Sequence, residues 1–249
     1  MQGRLARWAG LARSLAIYYG VPGRARKDRN FYGQFVQPGA LVFDIGAHVG
    51  NRLRVVRQLG ATCVAVEPQP LFADFLVYFY GQDEQVVLVR EAIGATPGAA
   101  TLHISQRTPT VTTISTGWMD AVRQADAFAN VHWEETATVP VTTLDALIAR
   151  HGTPDFCKID VEGSELAVLE GLSIPLPLLS FEYIPATQEM ALACIQRLQA
   201  LGSYRYNWSV GEEQRLASAL WLDAAEITAR VRGMGVNDRS GDMYAKRSE

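Results

Sequence analysis

Cysteine is scarce in this chain: Cys63, Cys157 and Cys194 are the only three in 249 residues. They stand far apart in apolar stretches, are odd in number and lack the paired spacing of a zinc site. A disulfide-dependent scaffold and a zinc domain are excluded, and buried reduced thiols are expected. Long apolar runs are also lacking, since no window approaches the roughly 18 uninterrupted apolar residues of a membrane span. The N-terminus scatters its arginines among apolar residues rather than placing them before a clean hydrophobic stretch, which argues against a secretory leader. A cytoplasmic location is expected. Nor is positive charge in excess, for the formal net charge is −3. That excludes a globally basic nucleic-acid binder, which needs a concentrated surplus of Lys and Arg to neutralise phosphates.

What remains is an ordinary globular composition, 48% hydrophobic and 20% charged, in a chain long enough to bury a full core. Its charge is unevenly spread. Arg4, Arg7, Arg13, Arg24, Arg26, Lys27 and Arg29 face only Asp28 within residues 1–29, a net of +6 that leaves −9 for the rest. We therefore divide the chain into a basic N-terminal helical arm, 1–36, and a domain over 37–249.

Hydrophobic patterning in that domain alternates between short apolar runs and helical periodicity. Ala40–Ile45 suits a strand buried on both faces, Asn51–Leu59 an amphipathic helix ended by Gly60, and Thr62–Glu67 a second strand. A helix over Leu71–Tyr80, a strand over Val86–Arg90 and an extended stretch near Ala99–Ile104 follow. A polar, Thr-rich interval at about 105–135 reads as an inserted lid or substrate loop. Helix resumes at Leu144 behind Thr142 or Thr143, then come a strand over Asp155–Asp160 and a helix over Ser164–Gly171 with Ser164 as its cap. Leu178–Ile184 reads as the fifth parallel strand, and Gln188–Leu201 as a long helix. Two last strands, Tyr204–Val210 and Asp242–Lys246, flank a helix opened by an Asp223/Glu226 capping box. Such alternation predicts a doubly wound, mostly parallel α/β sheet, whose ligands sit beyond the carboxyl ends of the strands.

The residues immediately after the strands carry unusual chemistry. Asp44-Ile45-Gly46-Ala47-His48-Val49-Gly50 is a glycine turn of the form G-x-x-x-G, without the middle glycine that a pyrophosphate-binding fingerprint needs. Asp44 would repel a phosphate and suits a cation. Glu67, 23 positions on at the end of strand two, is placed to accept hydrogen bonds from ribose hydroxyls. An adenosine ligand bearing positive charge is S-adenosylmethionine. Taken singly, a glycine turn can merely shape a βα connection, and Glu67 before Pro68 can be an exposed strand end; the ordered combination points to the cofactor.

Val42–Gly50, Ala65-Val66-Glu67-Pro68 and, most specifically, Lys158-Ile159-Asp160-Val161-Glu162-Gly163-Ser164-Glu165 resemble the hallmark stretches of the FkbM family of methyltransferases. The resemblance runs with less similarity from Phe31 to Asp242. It implies a class I methyltransferase, a Rossmann-like sheet of seven strands with the last reversed, and O-methylation of small hydroxylated molecules such as sugars, glycans or natural products. The expected cofactor residues are Asp44, Gly46, Ala47, His48, Gly50, Asn51, Glu67, Pro68, Glu91, Ala92 and Asp160. One departure is Arg90-Glu91 before Ala92-Ile93-Gly94, where such proteins often carry Asn.

Methyl transfer from a sulfonium is an in-line displacement in which alignment does most of the work, but an alcohol acceptor must also lose a proton. The candidates for that chemistry are Asp160, Glu162, Glu182 and His48. Glu165 can instead complement its helix N-terminus, His48 can be a loop histidine that only packs, and His132 is a weaker candidate. Asp160 and Glu182, scattered in sequence, make no metal motif, so no metal is expected. Trp118 and Trp133 in the insertion suit a ring-containing acceptor, or fill a small core of their own. The arm alternates arginines with Leu5, Trp8, Leu11, Leu15 and Ile17; it either packs on the domain or meets an anionic membrane or acidic partner. Two rivals to an enzyme of this kind are a non-catalytic cofactor-binding module and a nicotinamide oxidoreductase, the latter disfavoured by the missing glycine.

Overall fold

A computed structural model describes residues 2–123 and 125–248, with the side chains of residues 2–7 and 127 outside the described residues. The arm's Arg4, Leu5 and Arg7 therefore cannot be placed. The arm forms two helices, α1 (Gln2–Tyr19) and α2 (Arg24–Tyr32), and β1 (Leu41–Ile45) follows. The chain then alternates through α3 (Asn51–Gln58), β2 (Thr62–Val66), α4 (Pro70–Tyr80) and β3 (Val86–Val89). After β4 (Ala92–Ile93) and β5 (Gly98–Ile104) come α5 (Thr116–Val122), β6 (Glu135–Thr142) and α6 (Leu144–His151). The last third runs through β7 (Phe156–Ile159), α7 (Glu165–Glu170), β8 (Leu178–Tyr183), α8 (Gln188–Leu201), β9 (Tyr204–Trp208), α9 (Ala224–Arg232) and β10 (Gly241–Arg247).

Seven strands form one sheet in the order β3-β2-β1-β7-β8-β10-β9. All neighbours are parallel except β10, which runs antiparallel to both β8 and β9. This is the class I methyltransferase fold, with its last strand reversed as expected. Successive residues of the central strands face opposite sides. Phe43, Ile45, Val64 and Val66 pack in one core with Leu144, Val168 and Ile195 from α6, α7 and α8. Val42, Cys63 and Ala65 pack in the other with Phe31, Leu53 and Leu76 from α2, α3 and α4. Burying each such side chain contributes about 1.5–3 kcal/mol, which is why the central strands read as unbroken apolar runs. The three cysteines are buried and unpaired.

Local rules worked at several helix ends. Thr143, not Thr142, caps α6 by accepting the Ala146 N–H, and Asp223 with Glu226 forms the capping box of α9. Ser164 does not cap α7 with its side chain. The Glu165 carboxylate instead accepts the N–H groups of Val161 and Gly163, at 3.1 and 3.0 Å.

The insertion departs most from expectation. The stretch at Ala99–Ile104 does not join the main sheet: as β5 it pairs with β6, which in turn pairs with β4, to make a second sheet. β6 begins at Glu135, so the polar interval ends in a strand, and α5 lies within it. Alternation with exposed threonines hid β6 from a reading based on apolar runs. Trp118 sits buried against Val111, Val122 and Ile184, and its ring meets those of Phe128 and Trp133 edge-on at 5.6 and 6.3 Å. The Trp133 indole N–H donates to the Val111 carbonyl at 2.8 Å. These tryptophans fill a small core that joins the insertion to the segment after β8. Trp118→Ala should cost about 3 kcal/mol in urea unfolding and open 105–134 to proteolysis; an unchanged midpoint and cleavage pattern would show that the packing is not needed.

Candidate active site

A cleft of about 780 Å³, open to solvent at its mouth, lies beyond the carboxyl ends of β1, β2 and β7. Its floor is the glycine turn. Gly46 has φ +87°, and a Cβ there would stand 1.8 Å from the Asp160 carbonyl oxygen, so only glycine lets the loop after β1 pass that close to the loop after β7. Two of the three described non-glycine residues with positive φ, His48 and Glu162, lie on these two loops. Backbone held in that region clusters at ligand sites.

Of the residues expected to hold a cofactor, Gly46, His48, Asn51, Glu67, Pro68, Glu91, Ala92 and Asp160 line the cleft. Asp44, Ala47 and Gly50 do not; Asp44 and Ala47 are buried behind the turn, and Gly50 opens α3. Glu67 is held by two backbone amides, accepting from His48 and Gln69 at 2.8 Å each. Burial nonetheless outweighs those bonds and raises its carboxyl to about 7. Asp44 is only 1% exposed, and neither of its carboxylate oxygens has a hydrogen-bond partner. Burial pushes its carboxyl up to about 6, against the pull of Arg52 and Lys158. Glu91 lies within 3.4 Å of Arg150, which holds it at the cleft's edge.

The fold gathers the acids that sequence left scattered. Asp160, Glu162 and Glu182 each bring a carboxylate oxygen within 4.8 Å of the others; Asp160 and Glu162 line the cleft, whereas Glu182 lines a small neighbouring pocket with Trp118 and Gly163. Asp160 alone is neutralised: Arg52 lies 2.8 Å and Lys158 3.3 Å from the same oxygen. Burial pushes this carboxyl up, but the two cations prevail and hold it at about 2. Glu162 and Glu182 have no such partner and stand well above the ordinary carboxylate range, Glu162 through burial and the facing Glu182 and Asp160, Glu182 through burial, Asp160 and Glu165. The site therefore combines a fixed negative charge with a pair of carboxyls whose ionisation is disfavoured.

His48 donates its backbone amide to Glu67, while its ring nitrogen lies 3.2 Å from the Ser14 hydroxyl and its ring sits edge-on to Phe72 at 4.2 Å. Burial lowers its pKa to about 3, so the ring is neutral and a weak base. His132 is exposed and does not line the cleft. The insertion contributes Pro109, Thr110, Thr112 and Thr113 to the wall, and Thr113 donates to the Glu162 carbonyl at 2.6 Å.

Sequence reasoning did not single out Tyr18, Arg52, Gln69, Lys158 or Asp242. Lys158 carried a signal: a lysine inside a strand buried on both faces needs carboxylate partners. It is 1% exposed and reaches Asp242 of β10 at 2.7 Å. Tyr18 had none, because only the packing of α1 brings it to the cleft.

A family model described as the methyltransferase FkbM domain matches residues 44–198. A comparison with curated proteins finds no match. Among solved structures the chain is similar to a TehB-like SAM-dependent methyltransferase from Corynebacterium glutamicum, at 8% identity and TM-score 0.49 over 97% of this chain and 96% of that one. It is also similar to a precorrin-6y C5,15-methyltransferase from Geobacter metallireducens, at 12% identity and TM-score 0.45 over 89% and 86%. An O-methyltransferase from Bacillus cereus, solved with SAH, matches at 12% identity and TM-score 0.44 over 99% and 90%.

Removing Lys158 would strand Asp242 and leave Asp160 with Arg52 alone. Lys158→Met should lose about 3 kcal/mol in chemical denaturation, and adding Asp242→Asn should recover part of it. Equal losses in the single and double variants would show that the pair is not coupled.

Proposed function

Given that the chain belongs to the FkbM methyltransferase family, we propose that it methylates a hydroxyl group of a small molecule, such as a sugar, glycan or natural product, with S-adenosylmethionine as donor. The observation that carries this reading is the carboxyl trio, whose oxygens lie within 4.8 Å of one another while only Asp160 is paired with Arg52 and Lys158. An alcohol is a poor nucleophile until its proton is taken, and a carboxylate with a raised pKa takes it more readily than an ordinary one.

The residues present fit the donor. Asp160 lines the cleft and is held ionised by Arg52 and Lys158, which suits a cationic ligand. Glu67 keeps lone pairs free for ribose hydroxyls while backbone amides fix its orientation. Gly46 clears the floor, and Glu91 and Ala92 line the cleft wall, available to an adenine ring. When bound, the donor supplies a methyl group on a sulfonium.

Around the acceptor, the fixed charge of Asp160 favours the approach of the cationic donor and orients a hydroxyl donating to it. An ionised carboxylate of the Glu162–Glu182 pair receives the acceptor proton as the oxygen–carbon bond forms and the sulfur–carbon bond breaks, so the products are a methyl ether, the demethylated thioether and a protonated carboxyl in the pair. Thr110 and Thr112 supply hydroxyls for a polar acceptor. His48, neutral and wedged against Phe72, shapes the wall.

A screen of hydroxylated metabolites with methyl-labelled donor tests this. Glu182→Gln should keep donor affinity and lower turnover roughly a hundredfold, whereas Asp160→Asn should weaken both. No label in any hydroxylated compound, or full turnover in Glu182→Gln, would overturn the proposal.

The acidity of Glu67 gives a second test. Its carboxyl sits above its ordinary value in the free protein, at about 7, and ribose hydroxyls donating to it favour its ionised form. Donor affinity should rise as pH increases through this range, with proton release on binding. The sign for folding is opposite. A raised carboxyl pKa stabilises the free protein below the ordinary carboxylate range, and that stability is lost as pH rises through about 7. Calorimetry in buffers of different ionisation enthalpy would show no proton release if Glu67 stayed ionised throughout.

A further inference from the structure

The N-terminal helix has two faces. Ser14 and Tyr18, one turn apart, point to the cleft, where Ser14 meets His48 and Tyr18 lines the wall. Trp8, Leu11 and Leu15, at three- and four-residue spacing, turn to an open apolar trough shared with Phe75, Tyr78 and Phe79 of α4. Leu11 closes the floor of that trough against Val49 and Phe72. The rim is left in water: Trp8 is 60% exposed, Tyr78 84% and Phe79 60%. Val77, beside the aromatic pair, is exposed as well, as are Ile17 and Val21 at the far end of α1. Six of the nine large hydrophobic residues exposed among the described ones thus belong to α1, its following turn and α4. A patch of this kind marks a binding surface.

The same segment carries the chain's surplus of cations. Arg26, Lys27 and Arg29 of α2 are exposed and make no salt bridge among the described residues. Arg13 is committed to the Arg107 carbonyl and Thr108, which anchors α1 to the insertion. Among the described residues, the only acid lining the trough, Asp74, is engaged by Arg90. An aromatic rim borne in part by the helix that leads directly into this basic stretch is complemented by a surface apolar within and anionic at its boundary. Tryptophan and tyrosine favour that boundary, and basic residues are drawn to it. A second copy of the chain would bring the two basic arms together across a twofold interface.

We propose that α1 and α4 form a docking surface for an anionic lipid bilayer, with Trp8, Tyr78 and Phe79 entering the headgroup region and the basic arm lying over anionic headgroups. No described helix is long and apolar enough to cross a membrane, so the association is peripheral. Because α1 also walls the cleft through Ser14 and Tyr18, docking sets the protein down on the helix that borders its active site.

Flotation of the full chain with phosphatidylcholine vesicles, with and without phosphatidylglycerol, tests the proposal. Binding is expected on the phosphatidylglycerol vesicles only, with release at high salt. The triple variant Trp8→Ser, Tyr78→Ser, Phe79→Ser should abolish it, and each of Arg26→Gln, Lys27→Gln and Arg29→Gln should lower partitioning about fivefold. As a check independent of the triple variant's folding, brominated lipid should quench tryptophan emission in the unaltered chain and do so less in Trp8→Phe. The proposal is overturned by the absence of flotation, by equal flotation on neutral vesicles, or by quenching that Trp8→Phe leaves unchanged. Self-association lost in the triple variant, without flotation, would overturn it in favour of a second copy.

Discussion

Arg52 and Lys158 meet at one oxygen of Asp160, and much of the molecule is arranged around that meeting. Asp44, Asp160, Glu162, Glu182 and Asp242 all lie near these two cations, more negative charge than they can balance. At an effective dielectric of about 20, two unit charges 4 Å apart interact by about 4 kcal/mol, so the sharing is unequal by necessity. Asp160, touched by both cations, stays ionised; Glu162 and Glu182, facing other acids, ionise less readily. The network also crosses the sheet. It joins the first turn of α3 to the end of β7 and, through Lys158 and Asp242, to the reversed strand β10.

That arrangement gives the reversed strand a chemical role beside its structural one. β10 inserts between β8 and β9, in register with Glu182 opposite Asp242. It thereby supplies the carboxylate that anchors Lys158 from the side away from the cleft. Lys158 is in turn held where its charge acts on Asp160. The glycine turn works from the other side: because Gly46 lacks a Cβ, the loops after β1 and β7 nearly touch, so Glu67, Asp160 and Glu162 line one cleft.

Much of this was legible along the chain. The buried strands announced themselves as apolar runs, because a parallel sheet covered on both faces needs apolar residues at every position. The turn at Gly46, the acid at Glu67 and the stretch from Lys158 to Glu165 were legible because each follows a strand, where such folds put their ligands. The second sheet was not. β6 carries exposed threonines on one face and pairs with strands about 40 residues away, so neither its pattern nor its neighbours marked it. The insertion's tryptophans were equally ambiguous: an indole that stacks on a sugar and one that fills a core look the same until its neighbours are known.

The sequence by itself determined the sheet, the side of it that binds and the chemical types of the groups placed there, since periodicity and residues adjacent to strands are local properties of the chain. Only the tertiary structure decided which carboxyls meet, which of them ionise less readily, and which helix walls the cleft. Lys158 and Asp242 are 84 positions apart yet 2.7 Å from one another, and Tyr18 reaches the site from the arm. Acidity depends on the charges and the water around a group in space, and no spacing along a chain carries that.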